Sequence, residues 1–156
     1  MSRTPSEPRM HRRLIDTLYV DAMVLADEAR SYFDEAGRLE REALDPMARV
    51  SFSCESLKVT TRLMHIIAWL LTQRAVDAGE LRAADALDPS RRLGPAPVSE
   101  AHAVTSMPTK ARALIAASAE LYRRVARLDD SQAGEDMAGA LMSPVQSLHA
   151  RLASSF

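Results

Sequence analysis

The sequence predicts an all-α fold: an antiparallel three-helix bundle with a long central helix, a mobile Pro-rich loop and a C-terminal tail. Three observations carry this. Met47 to Ala78 runs without a single Gly or Pro, which fits one helix of roughly 33 residues, about 50 Å at ~1.5 Å per residue. Two further stretches, one on each side of it, repeat apolar residues at helical spacing. Hydrophobic residues make up 47% of the 156-residue chain, enough for one domain with a core of its own.

Residues 1–10 hold Pro5 and Pro8 among Ser and Thr and read as a flexible lead-in. The bundle domain is expected over residues 11–128. Its first helix spans His11 to about Ala36, with Leu14, Ile15, Leu18, Ala22, Leu25, Ala29, Tyr32 and Phe33 as the buried stripe and acids outside. Gly37 ends or weakens this helix, and the charged run after it can carry it on to Leu44. The turn at Asp45-Pro46 is short, so the first and central helices should be antiparallel neighbours.

The central helix opens with a cap and a first-turn Pro at Asp45 and Pro46 and stops at Gly79, the residue types suited to those ends. At about 100° per residue it carries two apolar stripes. Met47, Val50, Cys54, Leu57, Thr61, Met64, Ala68, Leu71 and Ala75 alternate steps of three and four, the spacing of a bundle seam. Phe52, Val59, Leu63, Ile66, Ile67 and Leu70 lie nearly opposite; a helix with two apolar faces must hide both, one against its own neighbours and the other against the third helix or a second copy, in which case Phe52, Val59, Leu63, Ile66 and Leu70 are the expected dimer interface. Between them, Glu55, Lys58, Arg62, His65, Trp69 and Gln73 form the candidate partner-binding face, because Trp and Arg are over-represented in binding hot spots.

A loop at about residues 87–107 contains Pro89, Gly94, Pro95 and Pro97; loops of this length are mobile or functional. Pro108 then opens a third helix that reaches about Leu128, with Ala111, Leu114, Ile115, Ser118, Leu121, Tyr122 and Val125 inward. The run from Asp129 to Ala140 breaks the pattern. Residues 129–156 are read as a tail holding at most a short helix.

Composition excludes several classes of function. Net charge is −1 and aromatics are 4%, so nothing draws the surface to nucleic acid or an anionic membrane. One Cys excludes an intrachain disulfide and Cys-based metal clusters and fits a reducing, cytoplasmic setting. The N-terminus has no apolar segment of a signal peptide, and the longest apolar run, Ile66 to Leu71, is too short to span a bilayer. No catalytic, cofactor-binding or metal-binding residues are expected. Cys54 and His65 are about 16 Å apart along one helix, too far to pair as nucleophile and base, and Cys54 is expected in the core. None of the four His (His11, His65, His102, His149) has a His, Asp or Glu three or four residues after it, and no metal-site motif is present.

The runs S-C-E-S-L-K-V-T-T-R-L-M (Ser53–Met64), A-W-L-L (Ala68–Leu71), Q-R-A (Gln73–Ala75), L-Y-V-D-A-M-V-L-A-D-E-A-R (Leu18–Arg30) and D-P-M-A-R-V (Asp45–Val50) resemble the RcdA family, alphaproteobacterial regulators of CtrA degradation. The resemblance covers Leu14 to Glu80; the third helix matches in type, and the letters of the tail are not matched, although the resemblance implies a flexible C-terminal tail that contributes to adaptor function. It implies a three-helix bundle forming a homodimer and a non-enzymatic adaptor role in regulated proteolysis. Such adaptors tether cell-cycle substrates and other adaptors to the ClpX component of the ClpXP protease, in the cytoplasm and with the cell pole as a candidate site. The Pro-rich loop and tail would join the Glu55–Gln73 face in holding partners. The competing expectation is a helical ligand-binding or protein-interaction regulator unrelated to proteolysis, with an apolar pocket near Met23, Met64 and Trp69.

Overall fold

The structure, a computed structural model, describes residues 6–154, with side chains described for 8–136, 152 and 153. Six α-helices follow in order among the described residues: α1 (Ser6–Ser31), α2 (Arg38–Glu42), α3 (Pro46–Asp77), α4 (Ala83–Ala86), α5 (Ala101–Thr105) and α6 (Thr109–Ser154). A π-helical turn, Tyr32–Ala36, joins α1 to α2. The long helices α1, α3 and α6 form the bundle.

The ends of α3 are set by local chemistry. The Asp45 side chain accepts a hydrogen bond from the Ala48 N–H at 2.8 Å, a cap of the kind that contributes about 1 kcal/mol. Gly79 stops the helix with φ +75°, a left-handed conformation that costs a side-chain-bearing residue strain. The π-helical turn closes through the Gly37 N–H donating to Tyr32 O at 2.7 Å. Tyr32, Phe33 and Phe52 meet there, with ring centroids 5.1 to 6.1 Å apart, in the tilted and edge-on arrangements that aromatic quadrupoles favour.

Two of the expected boundaries move. Helix α1 already begins at Ser6, inside the expected lead-in, and residues 1–5 lie outside the described residues. Helix α6 does not stop near Leu128: its backbone is helical to Ser154. The Asp129–Ala140 run therefore does not break the chain direction, because Gly134 sits in a helix with open space around it, where a Gly lowers helix propensity without forcing a stop.

Helices α1 and α3 are antiparallel, as the short turn requires. An Arg12 Nη2 donates to Asp77 O at 3.0 Å, Arg74 lies 3.5 Å from Asp16 and over the Tyr19 ring, and Phe33 meets Phe52 at the other end. Helix α6 is different. Arg62 meets Ser118, Trp69 meets Asp129 and Gln73 meets Gln132, so the two helices rise together and α6 is parallel to α3. A parallel neighbour needs a return path along the whole bundle, and the long Pro-rich segment supplies it.

The core reverses the expected roles of the two apolar stripes on α3. Phe52, Val59, Leu63, Ile66 and Leu70 are buried among Ile15, Leu18, Ala22, Leu114, Ile115 and Val125. They are the intrachain core, so they cannot be the dimer interface. The stripe expected to be the seam of the bundle faces outward: Met47, Val50, Cys54, Leu57, Met64, Ala68 and Leu71 are exposed. The physical reason is volume. The inward stripe is aromatic, β-branched or Leu at every position, whereas the outward stripe alternates large side chains with Cys, Thr and Ala, and a core needs filled space at each layer.

Candidate protein-interaction site

The polar face of α3 points at its own chain. Glu55, Arg62, Trp69 and Gln73 are buried, and Lys58 and His65 are half-buried. Helix α6 meets Trp69 and Gln73, and Glu55, Lys58, Arg62 and His65 lie under the segment 93–100, which has no helix and runs along α3 like a strap. Arg62 is the central tie. Its Nε donates to Pro97 O at 3.0 Å, one terminal nitrogen donates to Ser118 Oγ at 3.1 Å and the other to Ser99 Oγ. Ser99 in turn donates to Glu55. Lys58 Nζ reaches both Glu55, at 3.3 Å, and Val98 O, at 3.1 Å. Burial pulls the Arg62 guanidinium below its usual pKa, and the Glu55 carboxylate partly offsets this. A buried charge pair of this kind holds only because its remaining donors and acceptors are matched, and here every fork of the guanidinium has an acceptor.

Further along, Tyr122 donates its hydroxyl to Gly94 O, and His65 Nδ1 lies 3.5 Å from the same oxygen. Trp69 Nε1 donates to Asp129 Oδ1 at 3.0 Å. Asp129 also takes a two-pronged pairing from Arg92, at 2.8 to 3.2 Å, and that hydrogen bond raises the Arg92 pKa. At the last turn Gln132 donates to Gln73 at 2.9 Å. The strap thus descends from Arg92 to Ser99 while α3 rises from Glu55 to Trp69. The lengths agree: an extended Pro-rich strand covers about 3.1 Å per residue, close to twice the ~1.5 Å rise of a helix.

The expected partner-binding face, Glu55, Lys58, Arg62, His65, Trp69 and Gln73, is therefore a clamp for the strap and α6, not an open surface. The bonds explain why those residues are polar. They also explain the Pro content of the strap, since the clamp reads carbonyl oxygens and needs no N–H from it. The residues of the expected pocket are separated: Trp69 is buried while Met23 and Met64 are exposed. Trp69 lies on the far face of α3, and Met64 instead lines an open cleft of about 300 Å³ between α1 and α3, with Phe33, Arg30, Asp34 and Thr60.

Two apolar patches on these elements stay exposed. The crest of the strap exposes Pro95, Pro97 and Val98. The outer face of α3 exposes the Met47–Leu71 stripe. Sequence reasoning found both stretches but gave the α3 stripe the wrong role; the alternation of small and large residues was the signal available. Among the described residues, no helix is long and apolar enough to cross a membrane, and no group of three or more His, Cys, Asp or Glu side chains converges.

Residues 6–156 match the family described as "Protein of unknown function (DUF1465)". The crystal structure of RcdA from Caulobacter crescentus CB15 is similar to this chain, with 32% sequence identity and a TM-score of 0.63; the match covers 76% of this chain and 90% of that one. No curated protein sequence matches the chain.

Proposed function

The chain belongs to the RcdA family, and from that premise we propose that it is a non-enzymatic adaptor in regulated proteolysis, a cytoplasmic homodimer that tethers cell-cycle regulators to the ClpXP protease. The observation that carries the reading is the shared helical fold at 32% identity over three quarters of the chain. The disposition of polar groups supports it: the α3–α6 clamp uses its charges to hold the strap, while the strap crest and the outer stripe of α3 expose apolar side chains.

An adaptor of this type works by proximity. Holding a substrate beside the protease converts a bimolecular encounter into a local one and raises effective concentration without new chemistry. The strap crest at Pro95, Pro97 and Val98 is one surface for such contacts. Lys58 and Arg62 hold its backbone carbonyls from below, so its outward side chains are presented in a defined order.

Reconstituted degradation tests the reading. With ClpXP, a cell-cycle regulator and the family's companion adaptors present, adding this protein should increase substrate turnover several-fold. Unchanged turnover in every combination of partners would overturn it.

A further inference from the structure

The outer face of the first part of α6 is basic in an otherwise acidic chain. Residues 109–127 carry five bases, Lys110, Arg112, Arg123, Arg124 and Arg127, against one acid, Glu120; the rest of the chain carries fifteen bases against twenty acids. All six of these side chains are exposed. The fold makes little use of the bases. Arg123 pairs with Glu120 at 2.8 Å, and Arg112 reaches only Thr109, at 3.5 Å. Among the described residues Lys110, Arg124 and Arg127 have no hydrogen bond or close ion pair. The hydrogen bond from Arg123, with Arg127 and Arg124 farther off, holds the Glu120 carboxyl below its usual range. Gathering the bases has a cost. Arg123 and Arg127 are four positions apart and Arg124 and Arg127 three apart, the spacings at which like charges on a helix repel. A helix end would offset this, since cations suit the C-terminal pole of the dipole, but that effect is confined to the last turn. Helix α6 runs on to Ser154, so these arginines lie many turns before its end.

We propose that this face of α6 docks an acidic helix of a partner protein. This rests on the adaptor reading for the partner being a protein, and it adds a charged surface to the two apolar patches described above. The layout fits such an occupant. At about 100° per residue, Arg112 and Arg123 fall along one edge of the exposed arc and Lys110 and Arg124 along the other. The floor between them holds Ala113, Ala116 and Ala117, all exposed. Short side chains let a second helix approach closely, since the distance between helix axes is set by the side chains at the contact. Arginines on both edges then reach around it to carboxylates, which a planar guanidinium takes in two-pronged fashion. From Arg112 to Arg127 the strip is about 22 Å long, room for about four turns of partner helix.

A polynucleotide fits this face less well. Glu120 stands in the middle of the exposed arc and would face phosphates. The alanine floor has no ring on which a base could stack, and the acidic remainder of the chain repels a long polyanion. An acidic helix carries its charges only along its two flanks and can set an uncharged or basic residue against Glu120. Charge complementarity of this kind also speeds the encounter and excludes wrongly charged partners.

Fluorescence anisotropy on the full chain tests this with three labelled probes. One is a helical peptide with Ala at the contact positions and Glu on both flanks of each heptad, the second is the same peptide with Gln for Glu, and the third is an oligothymidylate. The Glu peptide should bind at least ~10-fold tighter than the Gln peptide, and its binding should weaken as salt rises. Arg124→Glu/Arg127→Glu should lose that preference with unchanged far-UV helicity. Arg124→Lys/Arg127→Lys should keep part of it, because the charge stays and the fork is lost. Arg9→Glu/Arg13→Glu makes the same change of charge at exposed positions of α1 and should keep all of it. Equal binding of the two peptides, tighter binding of the oligothymidylate, or an equal loss in the α1 variant overturns the proposal. So does a changed oligomeric state of Arg124→Glu/Arg127→Glu by light scattering, which gives the face to a second copy of the chain. The probes need no protease, so a peptide preference alongside unchanged substrate turnover overturns the adaptor reading alone, and stimulated turnover without the preference overturns the acidic-helix face alone.

Discussion

The Trp69 indole N–H and the Asp129 carboxylate, sixty residues apart in the chain, lie 3.0 Å from each other in the buried seam between α3 and α6. Together with Arg62–Ser118 and Gln73–Gln132 this contact fixes α6 as a parallel neighbour of α3, and Asp129 also receives Arg92, just before the strap. One carboxylate thereby holds three segments of chain.

Asp129→Ala should destabilise the fold by about 2–3 kcal/mol, at the low end for a broken buried pair because Arg92 is a third exposed. Asp129→Asn keeps an acceptor for the indole and should cost about half as much. Trp69 is the only Trp, so its fluorescence reads the site directly. Urea denaturation of the two variants and the shift in emission maximum are the measurements.

Arg62→Lys should loosen the strap while keeping the charge, since an ammonium cannot reproduce the planar fork that reaches Pro97, Ser99 and Ser118. Proteolytic cleavage within residues 93–100 should quicken by roughly tenfold or more, equivalent to about 1.4 kcal/mol of local stability, with α1 and α3 little changed. Limited proteolysis with the fragments read by mass spectrometry checks it.

The two apolar stripes of α3 should respond in opposite ways. Ile66→Ala, in the core, should cost about 2–5 kcal/mol by leaving a cavity. Leu63→Glu should give an unfolded chain and not a folded monomer, since a carboxylate there would be buried without a partner. Circular dichroism against temperature separates a lost fold from a lost oligomer.

Gly37→Ala should destabilise the π-helical turn by about 1–3 kcal/mol. A Cβ at that position would sit 2.8 Å from Tyr32 O and 2.9 Å from Tyr32 Cζ, so the ring or the turn must move. The signature is a lowered melting temperature together with a changed near-ultraviolet signal from the Tyr32–Phe33–Phe52 cluster.

Tyr32 should make the protein sensitive to alkali. Burial, reinforced by its hydrogen bond to Glu40, raises its pKa above the usual 10.0. The folded state therefore holds the phenolic proton more tightly than the unfolded state. The associated stability is fully present below pH 10 and declines as pH rises from there toward the folded-state value. Tyr32→Phe should flatten that part of the stability profile, as measured by denaturant melts between pH 8 and 11.

The sequence by itself determined the three long helices and both ends of α3. Asp45, Pro46 and Gly79 bracket α3 because capping and left-handed backbone are local chemistry, and the helical spacing of α1 and of the first half of α6 is likewise local. It also carried the family resemblance, since that lies in the letters of α1 and α3. Only the tertiary structure decided which face of α3 lies inside. Both stripes are apolar, and periodicity says that a face must be covered without saying by what; the choice came from how Phe52, Val59 and Ile66 fill space against α1 and α6. The direction of α6 was likewise undetermined, because a loop of that length can turn back or cross over. The clamp at Glu55, Arg62 and Asp129 settles it, through hydrogen bonds between residues 37 to 60 positions apart that no local pattern encodes.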